Sequence, residues 1–290
     1  MSPRRLPRPP LWVAIGLVVV GVVSVQAGAS IAKRIFDEVD PSGLVWLRLA
    51  VSTVVLLAIA RPRLTGRSRA DWITVVAFGV CLGVMNWSIY QSFARIPIGI
   101  AVTIEFLGPL AIAVIGSHRS RDLLWAALAG AGVVLLGVER TSWSWVGAGF
   151  ALLAGAGWAG YILLSAGTGR RWEGLDGLSV ASIVATAVVT PGLPGIAHRL
   201  GDGHILLTGA VVGLMSSVVP YSAEITALRR IRPATLGVLM SLEPAAAALT
   251  ALLIVGERLG PVQWIAIACV VAASVGATRT STSGPAPRID

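Results

Sequence analysis

The sequence predicts an all-α polytopic membrane protein: ten transmembrane helices, arranged as two inverted five-helix repeats. Three observations carry that expectation. Of the 290 residues, 55% are hydrophobic and only 13% charged, about half the charge of an ordinary soluble chain. Apolar runs of roughly 17 to 24 residues, long enough to cross a bilayer as helix, recur from end to end and leave no soluble domain between them. The second half of the chain also echoes the first.

The runs place helix 1 at Leu11–Ile31, helix 2 at Gly43–Ala60, helix 3 at Trp72–Phe93, helix 4 at Ile96–Gly116 and helix 5, a short one, at Asp122–Val138. Helix 6 covers Trp145–Gly167, helix 7 Leu178–Ile196, helix 8 Ile205–Leu228, helix 9 Ala234–Val255 and helix 10 Pro261–Ala277. Helix 1 follows Arg4, Arg5 and Arg8 and so imitates a secretory leader. Its apolar run is long for one and no secreted domain follows, so it reads as an uncleaved span. Pro191 and Pro194 interrupt helix 7 and are expected to kink it or end it early.

The net charge of +9 sits in short connections, where it sets topology and does not imply nucleic acid. Of the 23 basic residues, 16 fall in the tails and alternate loops, six in the other loops, and one, Arg48, inside helix 2. That bias predicts that both termini are cytoplasmic, as an even helix count requires. Cys81 and Cys269 lie in apolar runs and read as packing residues.

The repeat appears as pairs at similar offsets. Gly16 matches Gly149, Gly43-Leu44 matches Gly177-Leu178, and Gly99 with Glu105 matches Gly237 with Glu243. Residues 1–140 then form one unit and 141–290 the other. Five helices is an odd number, so the units cross the membrane in opposite senses, an architecture of many secondary transporters.

Four ionisable residues fall at bilayer depth: Arg48, Glu105, Glu224 and Glu243. Each costs about 2.5–3.5 kcal/mol to place there, so each must face the bundle interior or a wet cavity. Three acids against one base leave room for protonated carboxyls or for a ligand cation; a zwitterion such as an amino acid would answer both signs. The alternative is a static brace, with Arg48 tied to one glutamate. Glu224 also fits an interfacial ion pair. Pro109 and Pro244 are helix-breaking positions, each freeing a carbonyl near an acid. Asn86 and Tyr90, Tyr221, Trp158 and Gln26 could line the same cavity, or simply bond between helices. The G-x-G-x-x-G run Gly155–Gly160 sits inside an apolar helix with no strand before it. It reads as close helix packing, as does Gly79-x-x-x-Gly83. His118, His198 and His204 make no metal set, and no nucleotide loop or catalytic set is present. No cofactor, metal or enzymatic activity is expected, and a gradient or exchange should supply any driving force.

These residues resemble a known family. The ten-helix duplication is similar to the drug/metabolite transporter superfamily, EamA type. The segments Arg95–Pro109, Leu239–Ala245 and Gly155–Ile162 resemble its threonine and homoserine exporter branch. The resemblance implies a cell (inner) membrane carrier that exports small amino acids, driven by the proton gradient, with a central cavity between the halves. Exporters of other metabolites and drugs share the fold, so another small cargo stays open.

Overall fold

The computed structural model describes residues 10–115, 121–136, 143–227, 231 and 233–281. Among these residues the chain is helical, with no strand. In chain order the helices are α1 (Leu11–Lys33), α2 (Pro41–Ala60), α3 (Arg69–Phe93), α4 (Ile98–Glu105), α5 (Leu107–Ile115), α6 (Arg121–Leu136) and α7 (Trp145–Gly169). Then come α8 (Asp176–Val189), a 3₁₀ turn (Thr190–Gly192), α9 (Pro194–Ala197), α10 (Gly203–Gly213), a π-helical segment (Leu214–Val218), α11 (Val219–Ala227), α12 (Pro233–Met240), α13 (Glu243–Ile254) and α14 (Pro261–Ser281). Among the described residues, eight stretches are long and apolar enough to cross a membrane, and Leu123–Leu136 and Asp176–Gly192 are shorter apolar helices.

Polar caps start several helices where the apolar runs begin. Asp40 accepts from the Ser42 amide at 2.8 Å, with Pro41 as the first helical residue of α2. Ser68 and Asp71 form a capping box at α3, and Ser144 and Asp202 cap α7 and α10. Large apolar side chains such as Val54, Ile73, Leu124, Leu207 and Leu253 point outward, as helices facing lipid allow.

Prolines divide the rods. Helix 7 ends early, as its prolines predict. Helix 4 is two pieces, α4 and α5, meeting at Phe106; Pro109 has no amide for the Glu105 carbonyl. Helix 9 is likewise divided at Ser241–Leu242, just before Pro244. Helix 8 is not the continuous α-helix expected. Pro220 cannot bond the Ser216 carbonyl, and the ladder widens into the π segment one turn earlier. Ser24 steadies that segment by donating to the Met215 carbonyl at 2.7 Å.

Glycines set how closely the rods approach. A Cβ on Gly108 would fall on the Gly155 carbonyl, and one on Gly155 would lie 2.6 Å from the Glu105 carbonyl oxygen. Gly157 meets Met85 and Gly160 meets Cys81 in the same way. The Gly155–Gly160 run is thus a packing surface that seats α7 on α3 and on the α4–α5 break. Gly79 and Gly83 do the same for α3 on α8. The halves interlace: α3 lies on α7 and α8, α1 on α11 and α13, and α6 on α14.

Candidate functional site

Both divided rods place an acid at the division. Glu105 is the last residue of α4, and Glu243 the first of α13. They line one central cavity of about 460 Å³. Arg48 from α2, Asn86 and Tyr90 from α3, Glu224 from α11, Trp158 from α7, Gln26 from α1 and Pro109 from α5 line it too. Pro244, the residue after Glu243, is buried and is not part of the lining. The Tyr221 side chain lies outside the described residues.

Inside the cavity the charges are largely unpaired. Among the described residues, no ion pair joins Arg48 to Glu105, Glu224 or Glu243. Arg48 instead rests its guanidinium over the Tyr90 ring, 5.4 Å from the centroid. Its Nε, the Tyr90 hydroxyl and the Gln26 Oε1 are all buried without a hydrogen-bond partner. Among the described residues, the only hydrogen bond to these carboxylates is a long one, Gln26 Nε2 donating to Glu243 Oε2 at 3.5 Å. Asn86 turns its amide back to the Leu82 carbonyl at 2.8 Å. Buried polar groups are normally satisfied. A cluster of orphans of both signs around one void is the arrangement a polar ligand or water would complete.

The walls are otherwise apolar and aromatic. Trp158 packs edge-to-face on Phe106 with centroids 5.3 Å apart, and Leu49, Leu82 and Ile89 close the sides. Hydroxyls that the sequence reading passed over also line the void: Ser52, Ser182, Ser216, Ser217, Ser274 and Thr278. Ser52 and Ser217 share a 2.8 Å hydrogen bond across α2 and the π segment. Ser182 carried a usable signal, since the offset that pairs Gly43 with Gly177 pairs it with Arg48. Ser216 and Ser217 had none before the π segment was seen.

Contacts define the two ends of the bundle. At one, the α2–α3 and α7–α8 turns join, with Arg67 donating to the Arg171 carbonyl and pairing with Asp176. At the other, the turn after α1 meets those before α4 and after α13. The cavity runs from the helix breaks toward the first, arginine-rich end. Leu178, Glu224, Gly237 and Thr278, all on the last turns of their rods at that end, line it.

A sequence model of the EamA-like transporter family matches residues 11–141 and again residues 145–279. The chain belongs to that family. Threonine/homoserine exporter RhtA of Escherichia coli is 36% identical to it over 282 residues, covering 96% of this chain and 95% of the relative. The protein of the same name from Salmonella typhimurium is 37% identical over 288 residues, covering 98% and 96%. A solved crystal structure of low identity, 19%, aligns with a TM-score of 0.61, covering 92% of this chain and 98% of its own; that likeness shows the fold alone. As a member of the EamA-like family, this membrane protein is a transporter and not an enzyme.

Proposed function

We propose that this EamA-like transporter exports small zwitterionic amino acids of the threonine and homoserine class across the inner membrane. The cavity alternates its access between the two sides and takes its driving force from the proton gradient. One observation carries the reading: among the described residues, one cation, Arg48, and three carboxylates, Glu105, Glu224 and Glu243, line one void, and no ion pair joins Arg48 to any of them. A substrate carboxylate suits Arg48 and the Tyr90 hydroxyl. A substrate ammonium suits Glu105 and Glu243, with the Gln26 oxygen beside them. The names of the relatives agree with that chemistry.

Ten crossings in two inverted units, residues 1–140 and 141–290, fit this role. The eight long spans and two shorter apolar helices support the count. The inversion is supported by an exchange of neighbours: α3 lies on α7 and α8, while the α10–α11 rod lies on α1 and α2. The basic turns at the cavity's mouth argue for a cytoplasmic orientation of that end, with both termini on the same side.

The test is a substrate panel in reconstituted vesicles under an imposed proton gradient. Labelled threonine and homoserine should move, and should compete with each other. The apolar side walls favour a second reading, export of a more amphipathic metabolite or drug. Movement of such a compound, with neither amino acid moving or competing, would replace the first reading by the second.

A further inference from the structure

The end of the bundle away from the cavity's mouth is held by one polar junction. The Lys33 ammonium at the end of α1 pairs with the Glu257 carboxylate at 2.6 Å. It also donates to the Ile96 carbonyl at 3.0 Å. The other oxygen of Glu257 accepts the Ile98 amide at 2.8 Å, at the first residue of α4. One ion pair therefore ties three elements: α1, the start of α4, and the turn after α13. Both halves of the chain contribute.

The two tied half-helices lead straight to the acids. α4 runs from Ile98 to Glu105 in eight residues, and α13 from Glu243 to Ile254 in 12, so they are rigid levers of about 12 and 18 Å. Each is separated from its continuation by a break in the helical ladder, at Phe106 and at Ser241–Leu242. Such element ends are where hinge motion is absorbed. Between the junction and the acids the void is closed by packed side chains: Ala29, Tyr90, Phe93 and Val102 line it toward this end and are buried. On the far side of the junction lies a separate cleft of about 520 Å³, and Lys33 lines it along with Arg34, Asp37 and Val255.

The geometry points to the Lys33–Glu257 pair as the outer gate of the transporter, the contact that must part before the cavity can empty into that cleft. α4 and α13 are the arms that swing when it does. The proposal rests on the transport reading, but its test needs no substrate. A single reporter cysteine at Ala29, in a background with Cys81 and Cys269 changed to alanine, is exposed to a membrane-impermeant maleimide. The reagent is applied separately to intact cells and to inside-out vesicles. With the pair intact, labelling should come from the mouth side. Lys33→Met and Glu257→Gln should each speed labelling from the opposite side at least roughly tenfold, as expected when a closed state loses its bias. Lys33→Arg, which keeps the charge and the donor to Ile96, should leave the side preference as it was. Equal labelling rates in the parent, Lys33→Met and Glu257→Gln proteins would overturn the gate. So would loss of labelling from both sides in the two variants, since the pair would then only hold the fold. If the gate behaves as stated while neither threonine nor homoserine moves, the substrate reading fails and the gate stands.

Discussion

Glu105→Gln separates a working acid from a brace more cleanly than any other change in the cavity. Glu105 is 9% exposed, and among the described residues its carboxyl has no hydrogen bond and no ion pair. Glutamine has nearly the same volume, so the substitution breaks no contact and opens no gap. Stability should therefore move by no more than about 0.5 kcal/mol, the range of changes that touch no named interaction. Transport should respond very differently. Glutamine cannot take up or release a proton. If Glu105 carries the coupled proton, the variant loses the work of one charge per cycle, about 2.3 kcal/mol for each 100 mV of membrane potential. That corresponds to about a 50-fold fall in the gradient of amino acid that 100 mV can sustain, at 1.4 kcal/mol per tenfold. Downhill exchange of labelled for unlabelled threonine needs no net proton movement and should persist. The assay compares uphill accumulation with exchange in the same vesicles, alongside a thermal unfolding midpoint in detergent. Accumulation equal to the parent's, with the same dependence on pH, would remove Glu105 from the coupling step. A large drop in the unfolding midpoint would show that the acid does structural work not visible in its contacts.

Arg48→Met keeps the length of the side chain and removes its charge. Loss of a charge-assisted hydrogen bond to a substrate carboxylate is worth about 1.5–3 kcal/mol, so the threonine concentration giving half-maximal exchange should rise about 10- to 150-fold; an unchanged value would show the carboxylate binds elsewhere. Gly108→Ala drives a methyl onto the Gly155 carbonyl and should cost about 1–3 kcal/mol of stability, read as lower yield and a lower unfolding midpoint; an alanine there with normal stability would mean α5 and α7 are not in contact. Ser217→Ala removes the 2.8 Å bond to Ser52 and should cost about 1 kcal/mol, while Ser24→Ala, which leaves the Met215 carbonyl unsatisfied, should cost as much or more; unfolding in detergent checks both, and no change in either would mean the π segment is held by packing alone.

Much of this arrangement could be read before any coordinates, and the reasons are physical. A proline lacks an amide, so Pro109 and Pro244 announce divided helices wherever they fall in an apolar run. A charge at bilayer depth has few places to go, so Arg48, Glu105, Glu224 and Glu243 were bound to face one another across an interior. What they do there depended on geometry that composition does not encode. Arg48 lies against the ring of Tyr90, not against a carboxylate. Pro220 carried the same warning as the other prolines, but an α-helix and a π turn bury the same pattern of residues, so Ser216 and Ser217 gave no sign of entering the cavity. Lys33 and Glu257 were legible only as loop charges, because nothing local links residues so far apart in sequence.

The two halves share their backbone plan more closely than their chemistry. The offset that pairs Gly43 with Gly177 also pairs Arg48 with Ser182 and Tyr90 with Glu224, and all four line the cavity. The divided helices with their acids are duplicated, whereas the cation and its aromatic partner occur once, and a serine and a carboxylate stand in their places. Position along the helices turns that difference into polarity. Tyr90 lies three residues from the end of α3 at the closed side, while Glu224 lies three residues from the end of α11 at the mouth side. In the alternating access proposed above, a change of the open side would not exchange Arg48 with Glu224. A zwitterion would therefore meet Glu224 first from the mouth, with Arg48, Glu105 and Glu243 deeper in. On the proposed transport cycle, the repeated helix breaks would supply the motion, and the departures from the repeat would give a passing molecule its orientation.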